Sequence, residues 1–222
     1  MRLAALGLGL LLAACGTGAP QDMAGIGLDL VRNQGPSSAV PEAKPTPEAS
    51  GSAVLELQSA NTGRAYLTEV TQNAEYVTYQ DAAGRTVVLH GGLVTRTQGY
   101  PRNLVGVRFG REDPIARARP LDAWPGQVDR AYQFRTRHGP TRSIVLHCVM
   151  ARGDRQFIDI LGDRHEVVEV EEACANTRLA VSNRHWVEPD TGVIWQSTQW
   201  IGGVASALTM TVIRRPIPDE RW

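Results

Sequence analysis

From Val54 onward, apolar and polar residues alternate with a period of two, which is typical of β-strands that bury one face. The clearest runs contain Val105, Val107 and Phe109, then Tyr132 and Phe134, and finally Leu208, Met210 and Val212. Residues 144–150 are apolar on both faces except at His147, so we expect a central strand there.

Turn-forming residues separate these runs, and no long helical pattern interrupts them. The predicted turns fall at residues 83–84, 138–140, 152–154, 162–163, 189–192 and 202–203, which are rich in Gly, Pro and Asp. The sequence therefore predicts an all-β, mostly antiparallel domain of sequential hairpins. A curved meander, a sandwich and a partial barrel all fit this pattern.

The first fifteen residues have the features of a secreted bacterial lipoprotein. Arg2 gives a positively charged start, and residues 3–12 form an apolar run of secretory length. Residues 12–15 (Leu-Ala-Ala-Cys) place two small residues before a cysteine that can accept a diacylglyceryl group. We expect residues 1–14 to be removed and Cys15 to be lipidated. The alternative is an ordinary signal peptide with an incidental cysteine.

The segment between the lipid and the β domain is predicted to be a flexible tether. Residues 33–53 are rich in Pro, Ala, Ser and Gly and have few bulky apolar residues, so they cannot bury enough surface to fold. Met23, Ile26 and Leu30 have the spacing of one short N-terminal helix. The predicted domains are thus 1–14 (signal peptide), 15–53 (lipidated N-terminus and tether) and 54–222 (a single β domain).

Charge excludes one class of function and leaves another open. The formal net charge is zero, which argues against nucleic-acid binding driven by bulk charge. Residues 102–142 hold nine arginines and four acids, which could form a cationic face for an anionic polysaccharide, lipid phosphates or a partner protein. Residues 148–174 hold seven acids and three arginines, so the two stretches could instead neutralise each other.

Two cysteines remain once Cys15 is lipidated. Because the exported compartment is oxidising, we expect Cys148 and Cys174 to form a disulfide. The alternative is a pair of buried free thiols.

The sequence predicts no catalytic residue, no metal site and no cofactor. It has no Gly-x-Ser-x-Gly elbow, and the His165-Glu166 pair lacks the second histidine of a zinc helix. Glu171 and Glu172 are adjacent, so on a strand they point to opposite faces and make a poor catalytic pair. A solvated turn before Cys174 is the favoured interpretation of these two acids.

Trp186, Trp195 and Trp200 lie close together near the C-terminus. Aromatic rings stack on sugars, but residues 195 and 200 face opposite sides of a regular strand, so core packing is the favoured interpretation. Trp195 and Trp200, with Arg135 and Arg137, are the candidate contacts to a glycan or a partner.

Three segments resemble the YjbF/GfcB lipoprotein family of exopolysaccharide and group-4-capsule operons. The specific part is residues 183–187 (Asn-Arg-His-Trp-Val) with residues 191–200 (Thr-Gly-Val-Ile-Trp-Gln-Ser-Thr-Gln-Trp). Residues 92–99 resemble the family's Gly-…-Arg-Thr-x-Gly segment, and Cys148 with Cys174 resembles its spaced cysteine pair. The matches extend over about residues 54–213.

The resemblance implies a lipoprotein that helps to make, export or retain an extracellular polysaccharide without being an enzyme. Gly16 replaces the aspartate that retains such proteins in the inner membrane, so we expect an outer-membrane lipid anchor with the domain in the periplasm. An outer-membrane polysaccharide-export protein is the expected partner, and no nucleic acid is expected. The alternative is a polysaccharide-binding module with a Trp- and Arg-bearing face; a polysaccharide hydrolase or lyase lacks a supporting motif.

Overall fold

The computed structural model describes residues 52–135, 140–203 and 207–216. These residues form an all-β structure with one short 3-10 turn, Leu121–Ala123, and no α-helix in the part described. The strands are β1 Val54–Ser59, β2 Gly63–Asn73, β3 Tyr76–Gln80, β4 Thr86–His90, β5 Leu93–Gln98, β6 Asn103–Phe109, β7 Gln127–Arg135, β8 Thr141–Ile160, β9 Asp163–Ala175, β10 Ala180–Val187, β11 Ile194–Trp200 and β12 Ala207–Arg214. The predicted fold class is confirmed.

All twelve strands belong to one antiparallel sheet in the order β5-β4-β3-β2-β1-β12-β11-β10-β9-β8-β7-β6. Strands that follow each other in the chain pair throughout, except β5 and β6, which are the two edges, and the one other pairing is β1 with β12. The sheet is therefore two meanders joined by the first and last strands. Long-range pairing is confined to the β1–β12 junction, so the local alternation pattern was enough to predict the fold class.

The two edge strands, β5 and β6, lie side by side and nearly close the sheet into a barrel. Leu104 N donates a hydrogen bond to Thr97 Oγ1 (2.9 Å), and Arg96 Nε donates to Val105 O (3.1 Å). These bonds between side chains and backbone replace a regular ladder. Of the three architectures that fit the sequence, the partial barrel is the one observed.

The interior of this barrel is filled by the residues that the period of two selected. Tyr132, Phe134, Leu208 and Met210 are all buried, as the alternation predicted. A shift in the β6–β7 register near Leu104 adds this residue to the interior as well. A bulge changes which face a side chain occupies, so the pattern around residues 104–109 did not predict it.

Two predictions about β8 need correction. Residues 152–154 are part of this strand and form a register shift opposite β9, not a turn. β8 is flanked by two strands as predicted, but its outer face is open, with Val145 49% and Val149 55% exposed. A barrel has one buried face, so apolar residues on both faces of a strand do not imply burial on both.

The predictions for the signal peptide, Cys15, the helix at residues 23–30 and most of the tether lie outside the described residues. At the start of the described chain, Ala53 is buried and its N–H donates to Glu69 Oε2 (3.2 Å). No helix in the described residues is long and apolar enough to cross a membrane.

Candidate functional site

The inner surface of the barrel encloses a cavity of about 640 Å³ that opens to solvent on one side. Its wall is built from residues of β1, β2, β3, β4, β11 and β12 and from the β4–β5, β6–β7 and β10–β11 connections. Most of its lining is apolar or aromatic: Leu55, Val77, Tyr79, Leu89, Ile115, Ala116, Ala118, Val193, Ile194, Trp195, Met210, Val212 and Pro216. Such a wall is typical of small-molecule sites.

The connection between β6 and β7, residues 110–126, packs against the end of the barrel and forms one wall of the cavity. Gly92 N donates to Ile115 O, and His90 Nδ1 donates to Ala116 O, both at 2.8 Å. Gly91 has φ +56°, and a Cβ there would collide with the Ala116 carbonyl. The glycine allows the connection to approach β4 and β5 closely.

Trp195 contributes a half-buried ring to the cavity wall. Its indole stacks on His165 of β9, with ring centroids 3.8 Å apart. The Trp195 Nε1 atom is buried and has no hydrogen-bond partner among the described residues. The position on the wall makes Trp195 a natural contact for a ligand and a fluorescent reporter of occupancy.

A group of fully buried charges lies elsewhere in the interior, and its members do not line the cavity. Arg130 of β7 donates from Nε to Asp113 Oδ2 (2.6 Å) and from Nη2 to Asp113 Oδ1 (2.9 Å). Its Nη1 lies 2.7 Å from Glu172 Oε1 on β9. Arg130 therefore joins the 110–126 connection to β9, two strands away from β7 in the sheet.

Glu172 is held by three residues from two strands, β7 and β10. Besides Arg130, its Oε2 accepts a hydrogen bond from Asn183 Nδ2 (2.7 Å) and lies 3.5 Å from His185 Nε2. Burial alone raises the pKa of Glu172, but Arg130, with smaller contributions from His185 and Asn183, lowers this pKa to about 2. Burial lowers the pKa of Arg130, yet Glu172, Tyr132 and Asp113 raise it well above its ordinary value. Both groups are charged at neutral pH.

The solvated-turn interpretation of Glu171 and Glu172 is wrong. Both residues lie within β9, where Glu171 is exposed and Glu172 is 0% exposed. Their opposite orientation follows from the strand period, as expected. The alternation along β7 could have predicted this. Arg130 lies on the same face as Tyr132 and Phe134, so a cation is placed in the core. A buried cation requires a buried acid as its partner.

The two cysteines lie directly opposite each other on β8 and β9 and form a disulfide in the structure. Cys148, Glu172 and Cys174 also form a group of potential metal-ligand atoms. Disulfide sulfurs are not thiolates, and the Glu172 carboxylate already contacts Arg130 and Asn183. The geometry therefore favours a structural role for this group.

The candidate contact residues lie in different surroundings. Trp200 is buried against Tyr132 and Phe134, with its Nε1 donating to Gly203 O (2.8 Å). Arg135 is exposed at the end of β7, and Arg137 lies outside the described residues. Trp195 therefore lines the cavity, and Trp200 is part of the hydrophobic core.

The arginine-rich stretch is partly neutralised by acids. Arg130 meets Glu172 of the acid-rich stretch, Arg117 lies 3.1 Å from Glu75, and Arg119 pairs with Glu112.

The fold and the cavity define the class of protein: a nearly closed antiparallel β barrel with an interior site and a disulfide across two adjacent strands. The chain belongs to the YjbF family, whose model is described as the group 4 capsule polysaccharide lipoprotein gfcB, YjbF, and matches residues 46–213. The resemblance seen in the sequence is thereby confirmed.

A solved structure supports the fold. The hypothetical lipoprotein YmcC from Escherichia coli (K12) matches with a TM-score of 0.63 and 18% sequence identity, covering 90% of this chain and 99% of that chain. At this identity the likeness concerns the fold alone. No curated protein has significant sequence similarity to the chain.

Proposed function

We propose that the protein is a lipid-anchored, non-enzymatic accessory factor in the production, export or retention of a capsule-type polysaccharide at the outer membrane. The observation that carries this proposal is the family match over residues 46–213, which is most of the folded domain. The Leu-Ala-Ala-Cys sequence at residues 12–15 and Gly16 supply the anchor and the outer-membrane assignment.

The arrangement of charged groups supports a role without catalysis. The buried acids Asp113 and Glu172 are both engaged by Arg130 and do not line the cavity. Glu75, the acid among the described lining residues, contacts His90 Nε2 (3.0 Å) and Arg117 Nη2 (3.1 Å). A general acid or base needs a free proton-transfer position facing its substrate. The site supports binding better than chemistry.

The proposed partner is an outer-membrane polysaccharide-export protein, with the domain on the periplasmic side. Val145 and Val149 on the outer face of β8 are apolar and exposed, with the exposed His147 between them. Crosslinking of a tagged chain in cells, followed by identification of the attached protein, tests this part of the proposal.

The experiment for the function combines gene deletion with a turnover assay. Deletion should lower the amount of cell-surface polysaccharide, and the wild-type gene should restore it. The purified protein should leave the isolated polysaccharide intact. Unchanged surface polysaccharide in the deletion strain would contradict the accessory role, and release of shorter fragments by the purified protein would contradict the absence of catalysis.

A further inference from the structure

We propose that the barrel cavity binds the hydrocarbon chain of an anionic lipid, with the lipid's charged group at the cavity mouth near Arg215. The inference concerns the ligand class of the cavity and does not depend on the proposed function, because binding can be measured with purified protein. Three features carry it: the lining of the cavity, its mouth and its size.

The deep part of the cavity is hydrophobic. Leu55, Leu89, Ile115 and Met210 come from four different elements and are all nearly inaccessible to solvent. Transferring apolar surface from water to such a wall contributes about 25 cal/mol per Å². An occupant therefore gains binding free energy from methylene groups rather than from hydroxyls.

The lining of the cavity also includes charged residues, one of which, Arg215, is exposed. The cavity's charged lining residues are Glu75, Arg117 and Arg215, which sum to +1. Glu75 is already paired with Arg117 and His90. Arg215 is exposed and has no acidic partner among the described residues. An anionic group at the mouth would meet Arg215 at little desolvation cost.

Among the buried polar side-chain atoms of the described residues that line the cavity, only Trp195 Nε1 lacks a hydrogen-bond partner. Ser197 Oγ already accepts a hydrogen bond from Gln199 Nε2 (3.0 Å), and the same amide donates to Gly92 O (2.6 Å). A buried sugar hydroxyl without a partner loses free energy. A volume of about 640 Å³ lies within the range of small-ligand sites, which is about 300–1,000 Å³. The lining fits one flexible hydrocarbon chain better than a sugar ring.

The first test uses the full mature chain with Cys15→Ala, purified without detergent, and a dibrominated stearate as the probe. Bromine quenches indole fluorescence on contact, so saturable quenching is expected. Trp195→Phe should remove most of the quenching, because Trp195 lines the cavity. Native mass spectrometry of the same variant should still detect one bound stearate.

Two matched valine substitutions locate the site. Val77→Phe fills the cavity from β3 and should weaken stearate binding about tenfold or more, a loss of about 1.4 kcal/mol. Val70→Phe lies at an exposed bulge position of β2 that does not line the cavity, and it should leave binding unchanged. Melting curves for both variants show whether each is folded. Equal loss of binding in both folded variants would overturn the cavity site.

A charge reversal keeps the inference testable if Val77→Phe fails to fold. Arg215→Glu should weaken stearate binding about threefold, as expected for an exposed ion pair, and should not affect an uncharged dibrominated stearyl alcohol. Arg102→Glu, an exposed arginine that does not line the cavity, is the matched control. Equal effects of both reversals on stearate would overturn the role of Arg215.

The source of the lipid chain is distinguished by comparing two forms of the protein. If the lipid on Cys15 fills the cavity, the lipidated chain should not bind stearate, whereas the Cys15→Ala chain should; because that lipid has no anionic group, this result would overturn the role of Arg215. If the lipid comes from elsewhere, both forms bind, and solvent extraction identifies a co-purified lipid. Absence of saturable stearate binding by the Cys15→Ala chain, or displacement of stearate by a lipid-free oligosaccharide, would overturn the proposal.

Discussion

Arg130 sits at the centre of the interior and contacts both Asp113 and Glu172, and all three side chains are fully buried. Taking such charges out of water is costly, and their mutual attraction offsets that cost only while every partner is present. Asp113 Oδ1 also accepts hydrogen bonds from Ile115 N (3.1 Å) and Ala116 N (3.3 Å). The arginine therefore holds the connection that forms the cavity wall.

Removing this arginine should be strongly destabilising. Arg130→Met leaves two buried carboxylates without a cation, so we expect a loss of about 3–5 kcal/mol in the free energy of unfolding. Urea denaturation at neutral pH measures this loss. Arg155→Gln, which removes the partner of Glu166 on the exposed β8–β9 hairpin, is the control and should have almost no effect. Similar small effects from both substitutions would contradict the bracing role of Arg130.

Acid should weaken the fold through Glu172. Its pKa is about 2 in the folded protein and near the ordinary value of 4.5 when unfolded, so the unfolded state binds the proton more readily. The stabilisation is complete above about pH 4.5 and is lost as the pH falls toward 2. Urea midpoints at pH 7, 4 and 3 should fall less steeply for Glu172→Gln than for the wild type. Parallel pH profiles would show that this carboxyl is not the titrating group.

At the level of elements, β8 and β9 form the longest hairpin and are joined by the Cys148–Cys174 disulfide. The two cysteines are 26 residues apart in sequence. The chain-entropy argument gives about 3.5 kcal/mol for closing a loop of this length, because the bond restricts the unfolded chain.

The disulfide leads to a direct test. Protein denatured without reductant should show no reactive thiol at Cys148 or Cys174, and reduction should expose both. The double substitution Cys148→Ala and Cys174→Ala should lower the urea midpoint, whereas reductant should not change the midpoint of that variant. Full labelling of both thiols before reduction would rule out the bond.

The elements also show what the sequence could predict. Tyr132, Phe134, Leu208 and Met210 follow a local period, and the structure buries each of them. Glu172 escaped prediction because its partners, Arg130, Asn183 and His185, come from other strands, and the strand pairing that brings them together is not visible in the local pattern. The cavity was missed for the same reason: its wall combines β1, β2, β3, β4, β11 and β12. A period of two identifies which residues of a strand face the interior, but it does not identify which residues of other strands they contact there.

At the scale of the whole molecule, one sheet serves two purposes. Part of the interior is braced by Arg130 and its partners, and another part is left open as an apolar cavity with Trp195 on its wall. Within the proposed function, a lipid on Cys15 would hold this barrel near the membrane where polysaccharide is exported. Family membership rests on residues 46–213, so the anchor is a separate part of the proposal.

The most direct test of the account measures whether membrane anchoring is needed for polysaccharide production. A deletion strain would receive either the wild-type gene or Cys15→Ala, with both proteins adjusted to equal levels in the envelope. We expect the wild type to restore cell-surface polysaccharide and to fractionate with the outer membrane. The Cys15→Ala protein should do neither. Full restoration of surface polysaccharide by Cys15→Ala would contradict a lipid-anchored accessory role.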